Sequence, residues 1–170
     1  NGTDVTASLA AFTVAGALNL IFSTTAATAV LYEIFGASRG SLDKDLHVLK
    51  PHEGQLRIAE LLSKLTAGSK LCGKPNKKIQ DSYVIRCAPQ IDGAVLDQAL
   101  QARKTVEIEL NSVTDNPLFF IKDKKIKTVS GGNFHAQNMA FALDALAIAL
   151  TGFSKVIERR IERLMNPNLS

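Results

Sequence analysis

From Val5 to Tyr32 the chain carries no charged residue. A run of that length reads as one long helix, and it is long enough to cross a bilayer. Its polar residues, however, fall on every side: Thr6, Ser8, Thr13, Asn19, Ser23, Thr24, Thr25 and Thr28. Such a helix suits a surround of other helices better than lipid, and one small domain has too little surface to cover it. The pattern therefore predicts partner subunits, or further chain, packed against it. Gly36 and Gly40 close the run, and Ser41-Leu42-Asp43 opens a short element.

Helical spacing returns at Leu56, Ile58, Ala59, Leu61, Leu62 and Leu65, predicting a helix from Pro51-His52-Glu53 to about Ala67. Gly68 to Asn76 reads as loop. Gln80 to Pro89 is either extended or a single short turn, because Pro89 restricts what precedes it. Ala94, Val95, Leu96, Ala99, Leu100, Val106, Ile108 and Leu110 give one apolar face to a helix from Ile91 to Asn111, stopped by Asn116-Pro117. Leu118 to Val129 reads as a small hairpin around a lysine-rich turn. Asn133 to Met165 reads as one very long helix, apolar nearly all round from Met139 to Phe153 and amphipathic afterwards. No internal repeat interrupts this order, and the class is all-α, a single helical segment over residues 1–170.

Composition narrows the function classes. The 170 residues are 46% hydrophobic, with no Trp and a net charge of +4. The basic residues gather at Lys74–Lys78, Lys122–Lys127 and Arg159–Arg163, each cluster short and broken by acids or by proline and asparagine. That pattern reads as solvated loops and helix faces, not a nucleic-acid surface. Cys72 and Cys87 have no CxxC or Cys/His ligand spacing, so they read as reduced thiols. His47 and His52 have no partner at metal spacing, and no metal site is proposed. The chain starts on Asn1-Gly2-Thr3 without Met and has no signal-peptide pattern, so it looks cut from something longer.

Three polar blocks could carry chemistry. In "QDSYVIRC", Gln80, Tyr83 and Arg86 recur every third residue and on a tight turn would point one way. An amide, a phenol and a guanidinium together suit a small carboxylate, since arginine holds two oxygens at once. The plainer reading is a surface loop whose arginine salt-bridges to a neighbouring helix. "ELNSVTDNP" from Glu109 is dense in side chains that bond back to local backbone, so it reads either as an elaborate turn or as the floor of a pocket. "SGGNFHAQN" from Ser130 could cradle an anion at a helix N-terminus. It lacks the spacing of a phosphate loop, and His135 reads as a packed or capping group.

Taken together these blocks, with "NGT" at Asn1 and "ERRIERLMNPNLS" at the end, resemble the aromatic amino acid ammonia-lyases over essentially the whole chain. "SGGNFHA" leans toward the histidine-acting branch. The resemblance implies a long-helix bundle shared with the fumarase and aspartase superfamily, assembled as cytoplasmic homotetramers whose active sites draw on several subunits. It implies elimination of ammonia from L-histidine to give urocanate, by means of a 4-methylidene-imidazol-5-one ring made from an internal Ala-Ser-Gly. Arg86 would then clamp the substrate carboxylate. Tyr83 and Gln80 would line the site beside the ring and the amine. Asn1 would bond at the carboxylate and the ring carbonyl, and Phe134 would pack near the ring, the two glycines before it letting backbone pass close by.

The departures bear on substrate and on activity. No Ala-Ser-Gly occurs in these residues, Glu53 stands where the family usually has proline, and Gln137-Asn138 stand where Glu-Pro is common in the histidine enzymes. The family's upstream tyrosine and histidine and its downstream glutamate have no counterpart, so this segment alone should be inactive. A phenylalanine or tyrosine ammonia-lyase, or an aminomutase, is the alternative within the family. A non-catalytic helical assembly module is the alternative outside it.

Overall fold

A computed structural model describes residues 2–73 and 79–166. Three long helices set the frame: α1 (Asp4–Ile34), α5 (Ala88–Leu110) and α6 (Gln137–Met165). Between α1 and α5 lie a 3₁₀ turn (Arg39–Leu42), α2 (Lys44–Val48), α3 (Glu53–Leu65) and α4 (Tyr83–Arg86). Between α5 and α6 stands a hairpin of β1 (Leu118–Lys122) and β2 (Lys125–Val129).

Helix α5 is the hub, packed against α1, α3 and α6. Its first turn begins at Ala88, three residues before the expected Ile91, because Pro89 falls at the start of the helix, where its missing N–H costs nothing. Val95, Leu96, Ala99, Ala102 and Val106 bury one face against Ala10, Val14, Ala17 and Ile21 of α1 and Met139, Leu146 and Phe153 of α6. Helix α1 ends as the glycine signal implies, with Gly36 at φ +61 just past it.

The α3–α5 crossing is a backbone contact. A Cβ on Gly54 would lie 2.0 Å from the Gly93 carbonyl oxygen, and a Cβ on Gly93 would lie 2.4 Å from the Gln55 nitrogen. The Gly54 N–H is answered by Asp97 Oδ1 at 2.6 Å. Nearby, buried His47 donates from Nε2 to the Ser41 carbonyl and accepts at Nδ1 from the Gln55 amide, each at 3.0 Å. That pair of partners matches the Nε2–H tautomer and ties α2 to α3.

The apolar residues left uncovered are many. Val5, Leu9, Phe12, Leu20 and Phe22 of α1, and Phe141 and Ile148 of α6, are all exposed. Both helices have the length and apolarity to cross a membrane. Asn19 and Asp144, however, lie on the same uncovered stretches, and a carboxylate there would be costly in lipid. The hairpin turns through Asp123 and Lys124, both at positive φ as a two-residue type I′ turn needs, and apart from Leu118 every residue of its strands is exposed. Helix α6 begins at Gln137, four residues later than the expected Asn133, so Asn133 and Phe134 form a turn ahead of it and do not start it.

Replacing Gly93 by alanine should cost about 3 kcal/mol or more, because backbone and not a flexible side chain occupies the space its Cβ needs. Urea denaturation of the full-length protein measures this, and an unchanged midpoint would contradict the crossing.

Candidate active site

Four residues are too few for a stable helix on their own, yet α4 carries both Tyr83 and Arg86. It is held by its neighbours. Tyr32, at the end of α1 and fully buried, donates its hydroxyl to the Ile85 carbonyl at 3.0 Å and shares a 2.9 Å hydrogen bond with Ser41 Oγ. Burial, partly offset by the Ser41 hydroxyl, pushes the Tyr32 phenol up to about 12. Beside it, Arg160 of α6 and Asp92 of α5 form a buried two-point ion pair at 2.7 and 3.0 Å. Burial raises the Asp92 carboxyl above its usual range, and the Arg160 fork counteracts part of that rise.

Against this scaffold lies a cleft of about 560 Å³, lined by Gln80, Asp81, Arg86, Cys87 and Gln90 on one side and Gly36, Ser38 and Ser41 on the other. Asp81 does not face Arg86 as a counter-ion; its Oδ2 accepts the Ser38 N–H at 2.7 Å. Arg86 pairs with no carboxylate among the described residues, which removes the plainer reading of a surface salt bridge. Its Nε is buried and has no hydrogen-bond partner among the described residues, and the same holds for Gln90 Oε1 in the cleft and for Ser82 Oγ, which does not line it. Orphaned polar atoms at one wall cost free energy unless a ligand or another chain answers them. The cleft therefore offers donors, an acceptor and a permanent positive charge to a small anionic molecule.

The structure brings Gln80 and Arg86 to this cleft. Tyr83 leaves the same turn but is exposed and does not line it. Phe134 lies elsewhere. Arg160 is 23 residues along α6 from Gln137, so at 1.5 Å per residue the two are roughly 35 Å apart. Phe134 precedes Gln137, at the opposite end of the bundle from Arg86. Asn1 lies outside the described residues. Thr3 is at that far end, donating its N–H to Thr114 Oγ1 at 3.3 Å.

At the far end two of the polar blocks knit together. Asn133 Nδ2 donates to the Val113 carbonyl and Asn116 Nδ2 to Ser130 Oγ, each at 3.1 Å. Asn111 and Ser112 bond back to Glu107 and Ile108, as the turn reading of this block expects. His135 neither packs nor caps: it is exposed, and helix α6 has no side-chain cap. Among the described residues, chain neighbours aside, nothing comes within 4 Å of a Cβ built on Gly131 or Gly132.

Sequence reasoning did not single out Gln90, Tyr32, Asp92 or Arg160. Gln90 follows Arg86 at helical spacing, which was a usable signal. An aspartate inside a mostly apolar helical face was another, but its partner is 68 positions away.

The family described as aromatic amino acid lyase matches residues 1–170. A histidine ammonia-lyase of Alkaliphilus oremlandii is 45% identical over 174 aligned residues, covering all of this chain and 33% of the relative. The structure of histidine ammonia-lyase from Trypanosoma cruzi matches with TM-score 0.87 and 39% identity, over 100% of this chain and 31% of that one. Tyrosine aminomutase from Streptomyces globisporus matches with TM-score 0.91 and 35% identity, over 99% of this chain and 36% of that one. The chain belongs to the aromatic amino acid lyase family, and its fold is that family's helical bundle. It spans about a third of the length of the curated relatives it matches.

The raised pKa of Tyr32 gives a signed pH effect. The fold favours the neutral phenol, so this contribution is complete below pH 10 and is lost as pH rises from 10 to about 12, amounting to about 2–3 kcal/mol. Urea midpoints between pH 9 and 12 should fall more steeply for wild type than for Tyr32→Phe. Parallel curves would contradict it.

Proposed function

We propose that this chain is the central segment of a longer enzyme that eliminates ammonia from L-histidine to give urocanate. The observation that carries the reading is the buried Arg86 Nε, without a hydrogen-bond partner among the described residues, in a cleft with Gln80 and Gln90. A purely structural helical module would leave that cationic group without a reason. The identity to histidine ammonia-lyases supports the substrate.

In the reaction the Cα–N bond and a Cβ–H bond break and a Cα–Cβ double bond forms. Arg86 holds the substrate carboxylate through its planar fork, which fixes where the amine and the β-carbon lie. The 4-methylidene-imidazol-5-one ring, formed from an Ala-Ser-Gly elsewhere in the polypeptide, supplies the electrophile that turns the amine into a leaving group. The orphaned donors and acceptor of the cleft fit a small polar guest of this kind. Gln80 in the cleft, and Tyr83 on the same turn but outside it, would stand beside the ring and the amine, Asn1 would bond at the carboxylate and the ring carbonyl, and Phe134 would pack against the ring.

Phe134 and Arg86 lie near opposite ends of α6, whose Gln137-to-Arg160 stretch alone is roughly 35 Å long, so a complete site would take them from different copies. The uncovered apolar faces of α1 and α6 supply the surface for that assembly. We read it as a homotetramer in the cytoplasm, in keeping with the free thiols of Cys72 and Cys87. Gln137-Asn138 and the likeness to a tyrosine aminomutase favour, as the second reading, a phenylalanine or tyrosine lyase or an aminomutase. A substrate panel on the full-length protein separates these, a β-amino acid product marking the mutase.

Arg86→Met in the full-length enzyme should lower kcat/KM by about 2–5 kcal/mol in transition-state terms. Normal turnover would remove Arg86 from the site. Arg86→Met and Phe134→Ala, each impaired alone, should recover roughly a quarter of wild-type activity when dissociated, mixed and reassembled, because some sites then receive both intact residues. If each chain built its own site, mixing would restore nothing.

A further inference from the structure

The turn that carries Tyr83 and Arg86 cannot hold its own shape. Within a continuing helix the Ile85 carbonyl would accept from residue 89, but that residue is Pro89, which has no N–H. The hydroxyl of Tyr32 takes that place at 3.0 Å. The preceding carbonyl, of Val84, accepts from Arg160 Nε at 3.0 Å. Two consecutive carbonyls between the two site residues are thus gripped from opposite helices, α1 and α6.

Arg160 can do this because Asp92 holds it still. Two guanidinium nitrogens engage both Asp92 oxygens while the third, Nε, reaches Val84, so one rigid fork joins α5, α6 and α4. The pair's side chains are 4% and 0% exposed. A buried ion pair is not in general more stabilising than apolar residues of the same bulk. Stability alone therefore gives no reason for charges here, whereas fixing the direction of a backbone turn does.

We propose that Arg160, oriented by Asp92 and assisted by Tyr32, is a positioning residue for the active site: it sets the α4 turn so that Tyr83 and Arg86 leave it in fixed directions. The inference rests on the reading of Arg86 as the carboxylate clamp. It differs from that reading in what it predicts for residues that never touch substrate.

The test uses the full-length enzyme. The double replacement Arg160→Met with Asp92→Leu removes the hold on Val84 while keeping the core filled and free of an unpaired charge. Assembly and melting midpoint should stay near wild type, while hydrogen exchange at the Ile85, Arg86 and Cys87 amides rises on the order of 10-fold and exchange in the middle of α5 does not. The kcat/KM should fall on the order of 100-fold, because a small displacement of a clamp is costly. Added to Arg86→Met, the same double replacement should cost under about threefold more, as expected for residues acting through one another. Tyr32→Phe and Arg160→Lys read the same amides if the double variant does not fold. Unchanged exchange at those amides, a stability loss with normal kcat/KM, or full additivity with Arg86→Met would each overturn the proposal. Wild-type enzyme that releases no ammonia from any aromatic amino acid refutes the lyase reading instead, and the exchange measurement still decides whether Arg160 holds the turn.

Discussion

The pairing of Asp92 with Arg160 is the interaction on which the arrangement around the cleft depends. Removing two charges from water costs several kcal/mol per ion, and the structure recovers this only by answering the groups in place. Both carboxylate oxygens and the three guanidinium nitrogens are engaged, the last through the Val84 carbonyl. The pair therefore has one acceptable geometry, and that geometry fixes how α5, α6 and α4 meet. Tyr32 adds α1 to the same junction from the other side. Helices α1 and α6 are thereby registered against the adjoining α4 and α5 at a point next to Arg86, which is why a four-residue helix can hold Arg86 in place.

The same long helices that make this junction rigid also divide the chemistry. Helices α1 and α6 run from the Thr3, Thr114 and Phe134 end to the Arg86 end, and α5 runs back between them. A helix of this length cannot bend its two ends together, so the aromatic residue and the guanidinium stay far apart within one chain. Yet the helices leave Leu9, Phe12, Phe141 and Ile148 bare. Burying those faces against other copies is the strongest available driving force, at about 25 cal/mol per Å² of apolar surface. Under the proposed function, the helices that keep Phe134 from Arg86 in one chain also carry the faces that would join copies.

Much of the fold was legible before any coordinates. Hydrophobic spacing located α1, α3, α5 and the hairpin, because each presents an apolar face or a turn signal that local physics enforces. The errors fell at boundaries. Helix α5 starts at Ala88 and not at Ile91, with Pro89 in its first turn, and the Ser130–Ala136 block, rich in glycine, stays outside α6. Gln80 to Pro89 could not be assigned from sequence, because its shape comes from Tyr32 and Arg160 and not from its own residues. Arg86 was singled out as a guanidinium in a polar turn and lies in the cleft, while Gln90 beside it was not singled out.

The sequence by itself determined the class of structure, the long uncovered helices and the residue types able to hold a carboxylate, since periodicity and side-chain chemistry are local properties. Only the tertiary structure decided that Asp92 is buried, that Arg160 grips the turn before Arg86, and that Phe134 lies at the other end of the bundle. Those facts are distances between residues far apart along the chain, and such distances are set by packing, which no short window of sequence contains.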